Sequence, residues 1–198
     1  MNTWDARYQA EGFAYGSEPN DFLKSVRPKL ASTGRALCLA EGEGRNAVYL
    51  AEQGFEVLAM DSSSVGLEKA QRLAGERGVL LTTVTADLND FVIEPAAFDV
   101  VALIWCHMPQ PLRSKVHRAS VNGLRPGGAF VLESYTPPQL ALKTGGPPTV
   151  ELLQRLDDLR SDLSTLRLET AHEIERPVHE GRFHNGKSAV LQVLGFAP

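Results

Sequence analysis

The sequence predicts an α/β fold, and three observations carry the prediction. Short apolar runs alternate with segments of helical period, a glycine turn joins the first run to a helix, and an acid closes the second run. The runs are Ala36 to Ala40, Phe55 to Met60, Leu80 to Val84, Phe98 to Ile104 and Ala129 to Ser134. Strands separated by helices pair in parallel, and a strand buried on both faces is nearly continuous in apolar residues, as Phe98 to Ile104 is. With 198 residues, 43% of them hydrophobic and 22% charged, the chain can bury the core of one domain, taken as 1–198.

Trp4 to Ala10 has a short helical pattern, and the loop from Gly12 to Asn20 carries Phe13 and Tyr15 among glycines. Residues 1–30 therefore read as an N-terminal arm. Trp4, Tyr8, Phe13 and Tyr15 either pack it on the sheet or form a lid over a ligand. Pro19 suits the first turn of a helix running to Val26, with Phe22, Leu23 and Val26 on one face. After the first strand a helix from Arg45 to Gln53 buries Ala47, Val48, Leu50 and Ala51 and ends at Gly54. The second strand stops at Asp61, and Ser62 or Ser63 caps a helix through Val65, Leu67, Ala70, Leu73 and Ala74 that Gly78 closes. The third strand leads to Ala86-Asp87-Leu88. A helix from Gln110 to Leu124 and the turn Arg125-Pro126-Gly127-Gly128 precede the fifth.

Beyond Ser134 the regularity breaks. Thr136 to Pro148 is rich in proline and glycine, and Thr149 to Leu159 reads as a helix with Val150, Leu153 and Leu156 on one side. Residues 136–160 are thus expected as a cover over one side of the site. Leu166 to Val178 and Ser188 to Phe196 read as two strands, which the polar connection His179 to Lys187 turns antiparallel.

Charge and composition exclude several classes. A formal net charge of −4 with scattered lysines and arginines gives no footprint for a nucleic-acid backbone. No apolar run reaches the ~18 residues of a membrane span, and the N-terminus lacks the basic and apolar regions of a signal peptide. Cys38 and Cys106, the two cysteines, fit core thiols in a reducing compartment. A cytoplasmic protein, monomer or homodimer, is expected, acting on a small molecule without nucleic-acid or membrane partners and without a metal.

Gly42-Glu43-Gly44-Arg45-Asn46-Ala47 satisfies the dinucleotide fingerprint, and Asp61 lies 19 residues beyond Gly42, at the spacing of a ribose-binding acid. Gly42 and Gly44 would let a ligand approach the backbone and the N-terminus of the following helix. An NAD-dependent oxidoreductase is therefore one reading. Glu41 and Glu43 oppose it, because a pyrophosphate would meet like charge. S-adenosylmethionine (SAM) carries an ammonium and a sulfonium that these acids favour, a ribose diol for Asp61 and an adenine amino group for Asp87.

The set Leu37 to Gly44, Asp61, Ala86-Asp87-Leu88, Phe98-Asp99-Val100-Val101 and Leu124-Arg125-Pro126-Gly127-Gly128, closed by an antiparallel hairpin, resembles the class I SAM-dependent methyltransferases. Trp4-Asp5-Ala6-Arg7-Tyr8, Tyr15-Gly16-Ser17-Glu18-Pro19, and Gly44-Arg45-Asn46 with Tyr49 to Gly54 resemble their tellurite-resistance and thiopurine methyltransferase-like branch. The resemblance implies a Rossmann-like, doubly wound seven-stranded sheet in the order 3-2-1-4-5-7-6 with strand seven antiparallel. It also implies a SAM site across the carboxyl ends of strands one to four. The cofactor residues expected are Tyr15, Ala40, Glu41, Gly42, Gly44, Asn46, Asp61, Ser62, Ala86, Asp87, Leu88 and Ile104. Cys38 and Ala40 stand where the family carries an acid and a glycine, so Glu41 is the expected substitute at the ammonium.

Methyl transfer from a sulfonium is an in-line displacement, so alignment can supply much of the catalysis. A base is needed only where the acceptor must lose a proton. A thiolate or a metalloid oxyanion such as tellurite needs none, and a thiol or such an oxyanion is the favoured acceptor. His107, directly after the fourth strand, is the candidate catalytic residue. Glu133, Tyr135, His179, Glu180 and His184 are further candidates to bind an acceptor, whereas His117 and His172 read as packing or surface residues. A SAM-binding sensor without turnover is the non-enzyme reading.

Overall fold

Alternate residues of the central strands sort onto the two faces of one sheet, as a period of two requires. In β1 (Gly34–Leu39), Ala36 and Cys38 join one apolar layer while Leu37 and Leu39 join the other. β4 (Phe98–Ile104) repeats the pattern with Val100 and Ala102 against Val101 and Leu103, and β5 (Leu124–Tyr135) with Ala129 and Val131 against Phe130 and Leu132. The protein is described by a computed structural model covering residues 3–198, so residues 1 and 2 of the arm lie outside the described residues.

The strands are completed by β2 (Phe55–Asp61), β3 (Thr82–Thr85), β6 (Arg167–Glu180) and β7 (His184–Phe196), in the order β3-β2-β1-β4-β5-β7-β6. β1 to β5 run parallel, and β7 pairs antiparallel with both β5 and β6. The seven-stranded order and the antiparallel seventh strand are therefore as expected. Helices α3 (Arg45–Glu52) and α4 (Ser64–Glu76) cover one face together with α2 (Asp21–Val26), and α5 (Leu112–Gly123) with the short helix Leu156–Arg160 covers the other. Cys38 and Cys106 are both free and buried. No helix among the described residues is long and apolar enough to cross a membrane.

Several boundaries differ from those read in the sequence, each for a local reason. α2 starts at Asp21 rather than taking Pro19 into its first turn, because Asn20 caps it with a side chain that accepts from the Leu23 N–H. Of the two expected caps of α4, Ser63 is the one used, its side chain accepting from the Gly66 N–H. The third strand begins at Thr82, leaving Leu80 outside it and 91% exposed.

The helix expected over 149–159 is the largest departure. Val150–Leu152 forms one 3-10 turn, Leu153 is extended, and only Leu156–Arg160 is helical. Gln154 donates its N–H to the Tyr135 carbonyl and the Leu153 carbonyl accepts from the Arg113 guanidinium. Those bonds draw the chain flat against the end of β5, so Val150 is exposed while Leu153 is buried. The hairpin is longer than expected, since β6 and β7 pair from Glu180 and His184 outward.

Candidate active site

β1 and β4 are neighbours whose crossovers leave in opposite directions, which opens a crevice beyond their carboxyl ends. Both strands end on a residue in left-handed conformation, Ala40 at φ 51° after β1 and Trp105 at φ 57° after β4. Such a conformation in a non-glycine residue persists only where its surroundings hold it, and it recurs at binding sites. A cavity of about 730 Å³ fills the crevice.

At one end of the cavity Ala40 and Glu41 follow β1, Asp61 and Ser62 follow β2, Ala86, Asp87 and Leu88 follow β3, and Ile104 ends β4. Asn46 and Tyr15 complete that set, so ten of the twelve expected cofactor residues share one cavity. Gly42 and Gly44 are not among the residues that line it. Gly44, at φ 91°, faces Ala70 of α4, and Gly42, at φ 64°, faces the Tyr8 hydroxyl. Their missing side chains make room for a helix and an aromatic ring.

The acids of the turn are also more engaged than their spacing suggested. Glu41 Oε1 accepts the Asn46 and Ala47 N–H groups at 2.9 and 2.8 Å, occupying the N-terminus of α3. Burial nevertheless raises its carboxyl to about 7, outweighing those bonds and the charge of Arg45. Glu43 turns away into an ion pair with Lys69 at 2.9 Å and accepts the Ala14 N–H at 2.7 Å, so it fastens the arm. Asp61 clamps the turn through the Gly42 N–H at 2.8 Å and caps itself with Ser63 N–H at 2.8 Å, and burial raises its carboxyl as well. Asp87 is exposed at the rim, held below the ordinary carboxylate range by the backbone and side chain of Asn89.

The other end of the cavity is walled by Trp105, His107, Met108, Leu112, Leu152, Phe183 and His184, and the strap Gly145 to Pro148 crosses it. Trp105 stacks on Tyr135 with centroids 4.3 Å apart, and His107 stacks on the same ring at 5.6 Å. His107 Nδ1 lies 3.2 Å from the Ser134 hydroxyl, and burial lowers its pKa to about 3, so the ring is neutral. Burial lowers His184 too, although Glu180 pulls the other way.

Of the remaining acceptor candidates, the structure removes four from the cavity wall. Glu133 is fully buried between Arg176, Asn20 and Gln192. Tyr135 lies behind Trp105, and His179 bonds Asn185 on the hairpin. Glu180 is a hub: it accepts from Arg45 at 2.6 Å, the Trp105 indole at 2.5 Å and Asn20 at 2.9 Å. Burial works to raise its carboxyl, but His184 and Arg45 prevail and hold it at about 2. Arg7 and Phe183 line the cavity without having been singled out in the sequence. Their one signal was position, an arginine inside an aromatic arm and an aromatic in a hairpin turn.

Trp4, Tyr8 and Tyr15 of the arm also line the cavity, whereas Phe13 packs on the core beside Lys69. Among the described residues no group of three or more His, Cys, Asp or Glu could hold a metal ion.

A crevice at the switch point of a 3-2-1-4-5-7-6 sheet, acidic at the strand ends and aromatic opposite, defines a nucleoside-type cofactor site joined to a second, apolar pocket. Residues 36–128 match the methyltransferase domain family. Thiopurine S-methyltransferase of Pseudomonas fluorescens Pf-5 is 25% identical over 86% of this chain and 85% of its own. A solved structure concerned with converting a disulfide bond into a thioacetal group during echinomycin biosynthesis superposes with a TM-score of 0.75, at 19% identity over 98% of this chain and 90% of that one. TehB of Haemophilus influenzae does so with a TM-score of 0.73, at 14% identity over 98% of this chain and 66% of that one. The matched domain and the thiopurine S-methyltransferase relative support a class I SAM-dependent methyltransferase of the branch that the N-terminal motifs resemble, and TehB shares the fold.

Proposed function

We propose that the chain transfers the methyl group of SAM to a small thiol, with a soft-element oxyanion as the inorganic counterpart of the same acceptor. SAM supplies an electrophilic methyl on a sulfonium. Glu41 receives the ammonium of its methionine portion, which relieves a buried carboxyl otherwise raised to about 7. Asp61 accepts from the ribose diol, Asp87 and Asn46 flank the adenosine, and Ala86, Leu88 and Ile104 cover its apolar surface. The arm, with Tyr15 and Tyr8, closes this end against water.

One observation supports the choice of acceptor: among the described residues of the second pocket, burial holds both histidines below the ordinary imidazole range. His107 is held at about 3 and His184 is lowered. An amine or alcohol that must be deprotonated finds only weakened bases there, whereas a thiol ionises on its own within the working range. Aromatic walls suit an organic thiol better than a bare oxyanion. The Pseudomonas relative, a thiopurine S-methyltransferase, supports a sulfur acceptor. His107 accordingly serves as wall and orienting group rather than as base.

The test is an acceptor panel with methyl-labelled SAM: aromatic and aliphatic thiols, tellurite, selenite and primary amines. Label in thiol products with matching release of S-adenosylhomocysteine supports the proposal. Label in amines alone overturns it.

A further inference from the structure

The cavity is divided by charge. Its carboxylates, Glu41, Asp61 and Asp87, lie at the strand ends, and Glu43 is neutralised by Lys69. Two guanidinium groups also line it, and they differ. Arg45 is buried in its pair with Glu180. Arg7 of α1 (Thr3–Tyr8) stands at the mouth of the aromatic pocket, and among the described residues no carboxylate pairs with it. Its guanidinium carbon lies 4.8 Å from the Phe183 ring centre and 5.2 Å from that of Trp4, and Nη1 donates to the Tyr15 hydroxyl at 2.7 Å.

Two rings and a hydroxyl thus fix the plane of a cation that no carboxylate among the described residues neutralises. A guanidinium held this way is pre-organised, weakly hydrated and still has N–H groups to offer, which is how a planar fork recognises a carboxylate or similar oxyanion. In a chain of net charge −4, an unpaired cation at the acceptor end is a local exception to the overall charge.

We infer that Arg7 is a specificity-determining anion receptor, and that the preferred acceptor carries a carboxylate or comparable anionic group apart from its methylated atom. This rests on the thiol-methyltransferase reading for the identity of the nucleophile, though not for the anion site. If Arg7 served only to pin the arm by stacking, its charge would not affect which acceptor is chosen.

Two measurements test the inference. The first compares kcat/KM for 4-mercaptophenylacetate and 4-methylbenzenethiol, which differ in the carboxylate. The wild-type protein should favour the carboxylate by about tenfold or more, and Arg7→Gln should reduce that ratio to about one, with Arg7→Lys between them. The second, free of turnover, titrates 4-(methylthio)phenylacetate into protein saturated with S-adenosylhomocysteine. Binding should weaken with salt and be lost in Arg7→Gln, while S-adenosylhomocysteine still binds, which also verifies that the variant is folded. An unchanged preference or unchanged titration in Arg7→Gln overturns the inference. Arg7-dependent titration with neither thiol methylated supports the anion site and overturns the thiol reading alone.

Discussion

The carboxylate of Glu180 accepts the indole N–H of Trp105 at 2.5 Å, across 75 residues of sequence. The same group takes Arg45 from the first turn of α3 and Asn20 from the arm, so one buried anion ties the cofactor end of the cavity to its aromatic wall. It also holds Trp105 in a left-handed backbone conformation that costs on the order of 1–3 kcal/mol.

Removing that anion should both destabilise the fold and release Trp105. Glu180→Ala leaves Arg45 buried and unpaired, and a loss of about 3–5 kcal/mol is expected by denaturant titration. Only two tryptophans are present, so in a Trp4→Phe background the emission reports Trp105 alone. Glu180→Gln should shift that emission to the red. An unshifted spectrum would mean that packing on Tyr135 is sufficient to hold the ring.

SAM affinity should fall on acidification because of Glu41. Its free carboxyl titrates at about 7, and an ammonium beside it lowers that value. The liganded protein then binds fewer protons than the free one, so binding strengthens as pH rises through the free value. A weakening of roughly tenfold from about pH 7.5 to 5.5 is expected by calorimetry. Glu41→Gln should bind more weakly at the higher pH and show a flattened dependence. A wild-type dependence identical to that of Glu41→Gln would remove Glu41 from the ammonium site.

Gly44 answers to packing. A Cβ there would collide with Ala70 on a backbone at φ 91°, so Gly44→Ala should cost about 1–3 kcal/mol. Thermal denaturation in the absence of ligand measures it. A stability equal to wild type would show that α4 can move aside.

His107 should contribute acid lability and no limb to the rate profile. Its folded pKa of about 3 lies below the ordinary 6.5, so between those values the unfolded chain binds a proton that the folded chain refuses. Stability is therefore greatest above about pH 6.5 and declines as pH falls toward 3. His107→Gln should reduce that decline, and its methyl-transfer rate should keep the pH dependence of the wild type. A rate limb near pH 6.5 that vanished in His107→Gln would restore it as a base.

The sheet was legible because its signal is periodic and local: alternating apolar runs and helices fix parallel strands before any contact is known. Ten of the twelve expected cofactor residues share the cavity for the same reason, since strand ends converge at a switch point. The packing of Tyr8 on Gly42 and of Ala70 on Gly44 was not legible, because a fingerprint records that side chains are absent without saying what fills the space. Thr149 to Leu159 was misread because a helical period cannot foresee Tyr135 and Arg113 pulling residues 153 and 154 into extended form. The hub at Glu180 was invisible because its partners Asn20, Arg45 and Trp105 are far from it in sequence. Arg7 was missed because its meaning lies in lacking an ion-pair partner among the described residues.

The central claim is that the protein supplies alignment and no base, so the acceptor must arrive as a nucleophile. The most direct measurement is kcat/KM against pH for a series of aromatic thiols of different acidity, a quantity that reports the free enzyme and free substrate. The expected result is an acid limb that moves with the pKa of each thiol. A limb fixed at one pH for every thiol, or turnover of primary amines at comparable rates, would contradict it.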